Sequence, residues 1–394
     1  MWNINNNRRL MRKVFAATAL CFSLIAGAQT QQAERFSIAT LNIDGLPQKV
    51  LVVNVNADGP GSAGTVRIGK YLMKKSFDMV FMQEDFNYHE ELTAMLEDEY
   101  QLDAWSGDVG IDGHKIDFLH LQNERFECDG LMGCWKKGLN VTDGARTAWA
   151  DGFGKFSHCN DLLATKGFRR YEVTLNSGTQ LVVYNLHMDA EDELDTEEGK
   201  AGADRAARVN QLKQLRDDIM SNLDERPVVV LGDSNCFYFR DKLKENFVDF
   251  INDSGKATVS DVWVELKNEG RFPEYQEDNR SRDDKEEEHG GESLDKIFYI
   301  NPTSAAVKVK AVSYLRDIEG YLHNGKPLGD HYPVSALFEV TDTRDNTGVE
   351  AVSETDNAPA EYYNLSGQRI SQPANSGLYI ERKGKDVRKR TVKY

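Results

Sequence analysis

The chain lacks a basic excess, is poor in cysteine, shows no internal repeat and has one long apolar run. Its 394 residues include 48 basic and 64 acidic ones, a formal net charge of −16. That balance argues against simple electrostatic capture of nucleic acid, whose phosphates need a basic face. It does not exclude a nuclease, because a divalent cation in a carboxylate site reverses the local sign. Of the five cysteines, Cys21 lies in the N-terminal apolar run, leaving Cys128, Cys134, Cys159 and Cys236. Their spacing matches neither a zinc site nor a C-x-x-C pair. In an oxidising compartment they allow three disulfide connectivities, with four free thiols as the alternative. No self-similarity at a period of 20–50 residues is visible, which argues against a repeat array.

The one long apolar run, VFAATALCFSLIAG at 14–27, is short for a membrane span. Arg8, Arg9, Arg12 and Lys13 precede it and Ala26-Gly27-Ala28 closes it. Residues 1–28 therefore read as a signal peptide, with Gln29 as the new N-terminus. Cys21 follows Leu20 rather than a small residue, which argues against a lipoprotein signal. The expectation is an exported monomer, secreted, displayed at the cell surface or held in the periplasm.

Hydrophobic residues make up 40% and charged residues 28%, the balance of a soluble globular protein with a real core. Residues 33–340 read as one large α/β unit. Runs rich in β-branched and aromatic residues predict strands near 36–43, 78–83, 168–175, 180–188, 227–233, 295–300 and 333–340. Thr65 is a candidate cap for a helix carrying Ile68, Leu72 and Lys75 on one face. Asp204–Asn222 reads as a long amphipathic helix through Val209, Leu212, Leu215 and Ile219. Two acidic stretches, 189–198 and 283–288, read as solvated loops, the first less easily because a chemical motif adjoins it. Residues 341–359 are polar and turn-rich and read as a linker. The segment 360–394 is β-like and carries eight Lys/Arg against three acids.

Five short motifs place polar residues at the ends of apolar strands, where loops from several strands assemble one site. The first is Thr40-Leu41-Asn42-Ile43-Asp44, in which Asn42 and Asp44 alternate onto one face. The second, Met82-Gln83-Glu84-Asp85, ends a buried-looking strand in a carboxylate, and a cation offsets the cost of burying one. The third is Tyr184-Asn185-Leu186-His187-Met188-Asp189 and the fourth Gly232-Asp233-Ser234-Asn235. The fifth is Gly329-Asp330-His331, preceded by Asp295-Lys296-Ile297-Phe298. Each alone is weak, because such strand ends are more often caps and turns.

Together and in this order they resemble the endonuclease/exonuclease/phosphatase superfamily, the metal-dependent phosphodiesterases similar to deoxyribonuclease I. The resemblance spans about residues 36–340 and implies an α+β fold, a four-layer α/β/β/α sandwich of two mixed sheets. It implies Mg²⁺, or another divalent cation such as Mn²⁺ or Co²⁺, held by Glu84 with Asn42, and with Asp44 and Asp330 as further ligands. His331 is the implied general base, oriented by Asp295, and its near-neutral pKa suits that work. Asp233 and Asn235 would position water and phosphate, Asn42 would touch the phosphate, and His187 would bond a phosphate oxygen as charge builds.

The string His187-Met188-Asp189-Ala190-Glu191-Asp192 is similar to a segment of secreted bacterial neutral sphingomyelinases, as is Lys166-Gly167-Phe168. That branch implies phospholipase C-type attack on a phospholipid head group at a membrane surface. The basic tail resembles the C-terminal sorting domain of type IX secretion, a small β-sandwich, and implies the type IX machinery as a partner. A secreted DNA or RNA endonuclease with the same metal site is the alternative, but Lys136-Lys137 and Arg169-Arg170 are only pairs, not a basic run, and read as solvated surface. A catalytically dead binding module is a weaker rival, because every motif residue is present. Trp105, Trp135, Trp149 and Trp263 read mainly as core.

Overall fold

The computed structural model describes residues 33–50, 53–54, 56–107, 121–122, 125–126, 128–152, 164–191, 201–275, 291–343, 361–364, 368–371, 376–383 and 386–392. The expected signal peptide, Cys159, Asp192, the acidic stretch 283–288 and most of the expected linker lie outside them. The chain divides into two units, Met1–Asp342 and Thr343–Tyr394.

In the larger unit, besides three two-residue hairpins, the strands are β1 (Arg35–Asn42), β2 (Met79–Gln83), β3 (Tyr100–Leu102), β4 (Met132–Lys136), β5 (Asn140–Val141), β6 (Ala145–Ala148), β7 (Gly167–Thr174) and β8 (Gln180–His187). They continue with β9 (Val228–Asp233), β10 (Ala257–Asp261), β11 (Asp295–Pro302), β12 (Val307–Arg316) and β13 (Val334–Asp342). Three longer helices are α1 (Gly61–Lys75), α2 (His89–Leu96) and α3 (Ala201–Ser221).

A six-stranded sheet has the order β12-β13-β1-β2-β4-β3, and a seven-stranded sheet the order β6-β7-β8-β9-β11-β10 with β5 beside β7. Each sheet contains one parallel pair, β1 with β2 and β8 with β9. Parallel neighbours need a crossover, and here each crossover carries a helix, α1 in the first and α3 in the second. Both sheets are therefore mixed.

Alternation along the strands sets the layers. Phe36 and Ile38 of β1 join the core between the sheets, whereas Ala39 and Leu41 pack with Ile68 and Leu72 of α1 and Leu92 and Leu96 of α2. On the second sheet Leu212, Leu215 and Ile219 of α3 join the main core, and Tyr184 reaches α3 with its hydroxyl 2.8 Å from Asp218 Oδ1. The order is helix, sheet, sheet, helix, the expected four-layer sandwich.

Several local expectations change. The first helix begins after Pro60, and Thr65 lies inside it with its hydroxyl donating to the Gly61 carbonyl at 3.0 Å. A proline fixes φ and fits a helix start, so it sets the boundary ahead of the hydroxyl residue. The strands β3, β4, β5, β6, β10 and β12 add to the expected set, and β13 runs on to Asp342. Arg169 is not solvated surface. It is buried, with Nη1 2.6 Å from Asp103 Oδ2 and Nε 2.8 Å from Asp129 Oδ2. The start of the first acidic stretch is likewise interior: Glu191 is buried against Arg205 and Arg208 at 2.9 and 2.6 Å. Buried carboxylates of this kind need such partners. Trp135, Trp149 and Trp263 are buried, and Trp105 stacks on His89 with centroids 4.5 Å apart. Cys134 and Cys236 are buried free thiols, and Cys128 is buried.

The smaller unit contains β14 (Glu361–Tyr363), β15 (Arg369–Ile370), β16 (Gly377–Lys383) and β17 (Asp386–Val392), one antiparallel sheet of order β15-β14-β16-β17. Glu381 is buried and accepts from Arg390 at 2.6 Å.

Candidate active site

The two parallel pairs end at the same edge of the sandwich. Asn42 closes β1 and Glu84 follows β2 in one sheet, while His187 and Asp233 close β8 and β9 in the other. Asp295 opens β11 opposite Asp233, because those strands are antiparallel. His331 precedes β13, which runs antiparallel to β1. Carboxyl ends of parallel strands are where ligands gather in α/β sheets.

Glu84 sits at φ 60, a left-handed conformation that is unusual for glutamate. The backbone around it is tied down: Asp85 N–H donates to the Gly130 carbonyl and Phe86 N–H to the Glu84 carbonyl, both at 2.9 Å. Gly45 passes so close that a Cβ there would stand 2.1 Å from the Glu84 carbonyl oxygen. Asp44 and Asn235 are also left-handed, at φ 53 and 50, conformations that Asp and Asn tolerate. Local strain of this kind persists where the surroundings over-determine it.

Asn42 links the two sheets across the site. Its Nδ2 donates to Glu84 Oε1 at 2.9 Å and to Asp233 Oδ2 at 3.1 Å, while its Oδ1 accepts from the Asp44 N–H at 3.0 Å. In this arrangement Asn42 is a donor to acidic oxygens, not an oxygen ligand. His187 Nε2 lies 3.4 Å from Asp233 Oδ2 and 3.9 Å from Glu84 Oε1, and its carbonyl accepts from Trp149 Nε1 at 2.6 Å.

His331 and Asp295 form the second half. Nδ1 of the imidazole is 2.8 Å from Asp295 Oδ2 and Nε2 is 3.6 Å from Asp233 Oδ2. Burial pushes His331 down, but Asp295 and Asp233 outweigh it and hold its pKa well above the ordinary value. Burial pushes Asp233 up, and the two imidazoles, Asn42 and the Asn235 amide pull it below its usual value. Asn235 braces that carboxylate from behind: its N–H donates to Asp233 Oδ1 at 3.0 Å and its Nδ2 to the Met188 carbonyl at 3.1 Å.

Among the described residues, burial and mutual repulsion in a cluster of carboxylates outweigh the pull of the cationic side chains beside it. Burial, then Asp330 and Glu84, push Asp44 up to about 7. Burial and Asp330 do the same to Glu84, again to about 7, against the pull of Asn42 and buried Lys166. Asp330 itself is exposed. Asn56 Nδ2 donates to Asp44 Oδ1. Hard oxygen donors that converge at such a cost suit a divalent cation, which holds them ionised. Asp44, Glu84 and Asp330 are the groups that fit it. Asp233, Asp295 and His331 also bring ligand-type atoms within 4.8 Å of one another. There, however, the imidazole Nδ1 is already engaged by Asp295, the geometry of an oriented base. Asn56 and Lys166 are contributions that the strand-end motifs did not signal, since neither ends a β-branched run.

A divalent cation held by Asp44 and Glu84 would displace protons, so its affinity would rise with pH through 7. Affinity for Mn²⁺ is expected to be about tenfold weaker at pH 6 than at pH 8 for each proton displaced. Calorimetry in buffers of different ionisation enthalpy counts those protons, and a flat affinity contradicts the placement.

Similar solved structures belong to the endonuclease/exonuclease/phosphatase superfamily. One is a D. rerio TDP2 with 14 humanising mutations, 16% identical, with a TM-score of 0.48 over 77% of this chain and 99% of its own. Another is the endonuclease/exonuclease/phosphatase from Bacteroides vulgatus, 18% identical, with a TM-score of 0.47 over 78% and 99%. A third is a doubly substituted Staphylococcus aureus beta toxin with bound magnesium ions, 16% identical, with a TM-score of 0.47 over 77% and 99%. The likeness is one of fold. No family model matches the chain, and neither does any curated protein.

Proposed function

We propose that the protein is a Mg²⁺-dependent phosphodiesterase that releases the head group of sphingomyelin or a related sphingophospholipid. The observation that carries the phosphodiesterase reading is the facing of two groups across Asp233. On one side lies the His331–Asp295 pair, on the other Glu84, tied to Asp233 through Asn42 and His187. A bound divalent cation supplies charge neutralisation for the non-bridging oxygens and the leaving oxygen. His331 Nε2 takes the proton of the attacking water as its oxygen bonds to phosphorus and the bond to the leaving oxygen breaks. Asp295 holds the imidazole tautomer and stabilises the imidazolium that forms. Asp233, 3.6 Å from His331 Nε2, orients that water. His187 is the donor nearest the phosphate oxygens in this reading, with Asn42 holding Glu84 and Asp233 in place beside it.

Support for the lipid comes from the His187–Asp192 and Lys166–Phe168 segments and from the acidic balance of the chain, which disfavours a polyanionic duplex. A single phosphodiester needs fewer positive charges, because one metal neutralises most of the reacting oxygens. Detergent-dispersed sphingomyelin is expected to lose its phospho-head group faster than plasmid DNA is cut, at equal phosphodiester concentration in one Mg²⁺ buffer. Efficient DNA cleavage without head-group release replaces the lipid with nucleic acid and leaves the metal site standing.

The leader at 1–28 and the tail at 360–394 support a secreted or cell-surface location, with the type IX machinery as the partner of the tail. Truncation after Asp342 is expected to spare hydrolysis and impair delivery to the surface. Loss of folding in the truncated protein contradicts a separable tail.

A further inference from the structure

Directly beneath the candidate site, a polar ladder crosses the layer between the sheets, separate from the buried Arg169–Asp103–Asp129 ion pairs that also link them. Thr40, Gln83 and Asn185 are each 0% exposed. The Thr40 hydroxyl donates to Gln83 Oε1 at 3.2 Å, and Gln83 Nε2 lies 3.0 Å from Thr40 Oγ1. Gln83 Nε2 also donates across to Asn185 Oδ1 at 2.6 Å. Asn185 Nδ2 continues into the first sheet, donating to the main-chain carbonyls of Met82 at 3.0 Å and Met132 at 3.3 Å. Ile38, Phe81, Val183 and Leu231 belong to the same buried layer.

Each rung stands one step below a site residue. Thr40 precedes Asn42 by two on the same face of β1, Asn185 precedes His187 by two on β8, and Gln83 adjoins Glu84. Apolar packing between sheets is non-directional and leaves their sliding weakly specified, whereas hydrogen bonds between side chains fix one register. Catalytic groups supplied by two sheets need their spacing held to within about 0.5 Å.

We propose that Thr40, Gln83 and Asn185 form an inter-sheet brace, positioning residues that set the distance between Glu84 and the His187–Asp233 side and thereby the cation affinity of the site. This rests on the reading that the Glu84 cluster holds a divalent cation. A satisfied buried amide pair is close to neutral for stability against apolar groups of the same shape, so the brace serves geometry more than stability.

The test uses the full-length protein and the double variant Gln83→Leu/Asn185→Leu, which removes both amides together and leaves the Thr40 hydroxyl as the one ladder side chain without its partner. Three quantities are read: thermal unfolding, Mn²⁺ affinity by calorimetry without substrate, and kcat and KM on a simple aryl phosphodiester. The double variant is expected to unfold within about 5 °C of wild type. Its Mn²⁺ affinity is expected to fall at least about tenfold, with kcat reduced more than KM is raised. Unchanged Mn²⁺ affinity in the folded variant overturns the proposal, as does an activity loss that only tracks the unfolded fraction. If the double variant does not fold, Thr40→Val removes one hydroxyl and keeps the shape. It leaves the buried Gln83 amide short of one partner, so it is expected to unfold a few degrees lower and to weaken Mn²⁺ about threefold, and unchanged affinity overturns the brace. A wild-type protein that takes up no Mn²⁺ overturns the cation reading itself, which is distinguishable from variants that bind as wild type does.

Discussion

Replacing His331 by alanine is expected to lower kcat on a phosphodiester by at least ~10²-fold, the lower end of what acid–base assistance supplies. The imidazole bonds Asp295 at 2.8 Å through Nδ1, which leaves Nε2 as the atom that can take a proton from water. Asp295→Asn is expected to act in the same direction by permitting the wrong tautomer. The pH profile has a definite sign. Asp295 and Asp233 raise the His331 pKa, so the protonated, inactive form persists to higher pH than for a free histidine. The rate therefore rises with pH on a limb displaced above the ordinary histidine value. A flat profile with His331 intact, or an alanine variant at wild-type rate, counts against the base.

Glu84→Gln is expected to lower turnover at subsaturating Mg²⁺ by at least about 10²-fold, more than outer-sphere partners of metal sites usually cost. The substitution preserves size and the acceptor toward Asn42 Nδ2, so the 2.9 Å contact has a replacement and the backbone restraints remain. It removes the charge that, with Asp44 and Asp330, would hold the cation in the proposed site. Circular dichroism and an unchanged unfolding temperature separate this effect from misfolding.

The strands that carry the site were legible because each ends a run of β-branched or aromatic residues at a polar residue. Asn42, Glu84, His187, Asp233, Asp295 and His331 could be placed at strand ends before any fold was known, and they meet at one edge of the sandwich. The layers followed from the same alternation. What escaped was set by tertiary context. Strand β4, Met-Gly-Cys-Trp-Lys, has neither β-branched residues nor a clean alternation, and it pairs because β2 and β3 flank it. Arg169 sits beside Arg170 in sequence, and only the fold reveals Asp103 and Asp129 waiting for it.

The chemistry of Asn42 shows a similar limit. An amide at a strand end offers a donor and an acceptor, and sequence does not say which atom faces the acids. In the structure the donor faces Glu84 and Asp233, which makes Asn42 a link between the sheets. The roles of Thr40, Gln83 and Asn185 were hidden for another reason. A buried polar residue within a strand run reads as an interruption of the apolar pattern until its partner on the other sheet is known.

The account stands most directly on cation-dependent hydrolysis of a simple phosphodiester by wild type and Glu84→Gln, compared after chelation and during Mg²⁺ titration. Wild type should be inactive in excess chelator and recover fully on Mg²⁺ addition, while Glu84→Gln should stay at least about 10²-fold slower at the same subsaturating Mg²⁺. Full wild-type hydrolysis in excess chelator, or a Glu84→Gln titration that overlays wild type, would contradict it.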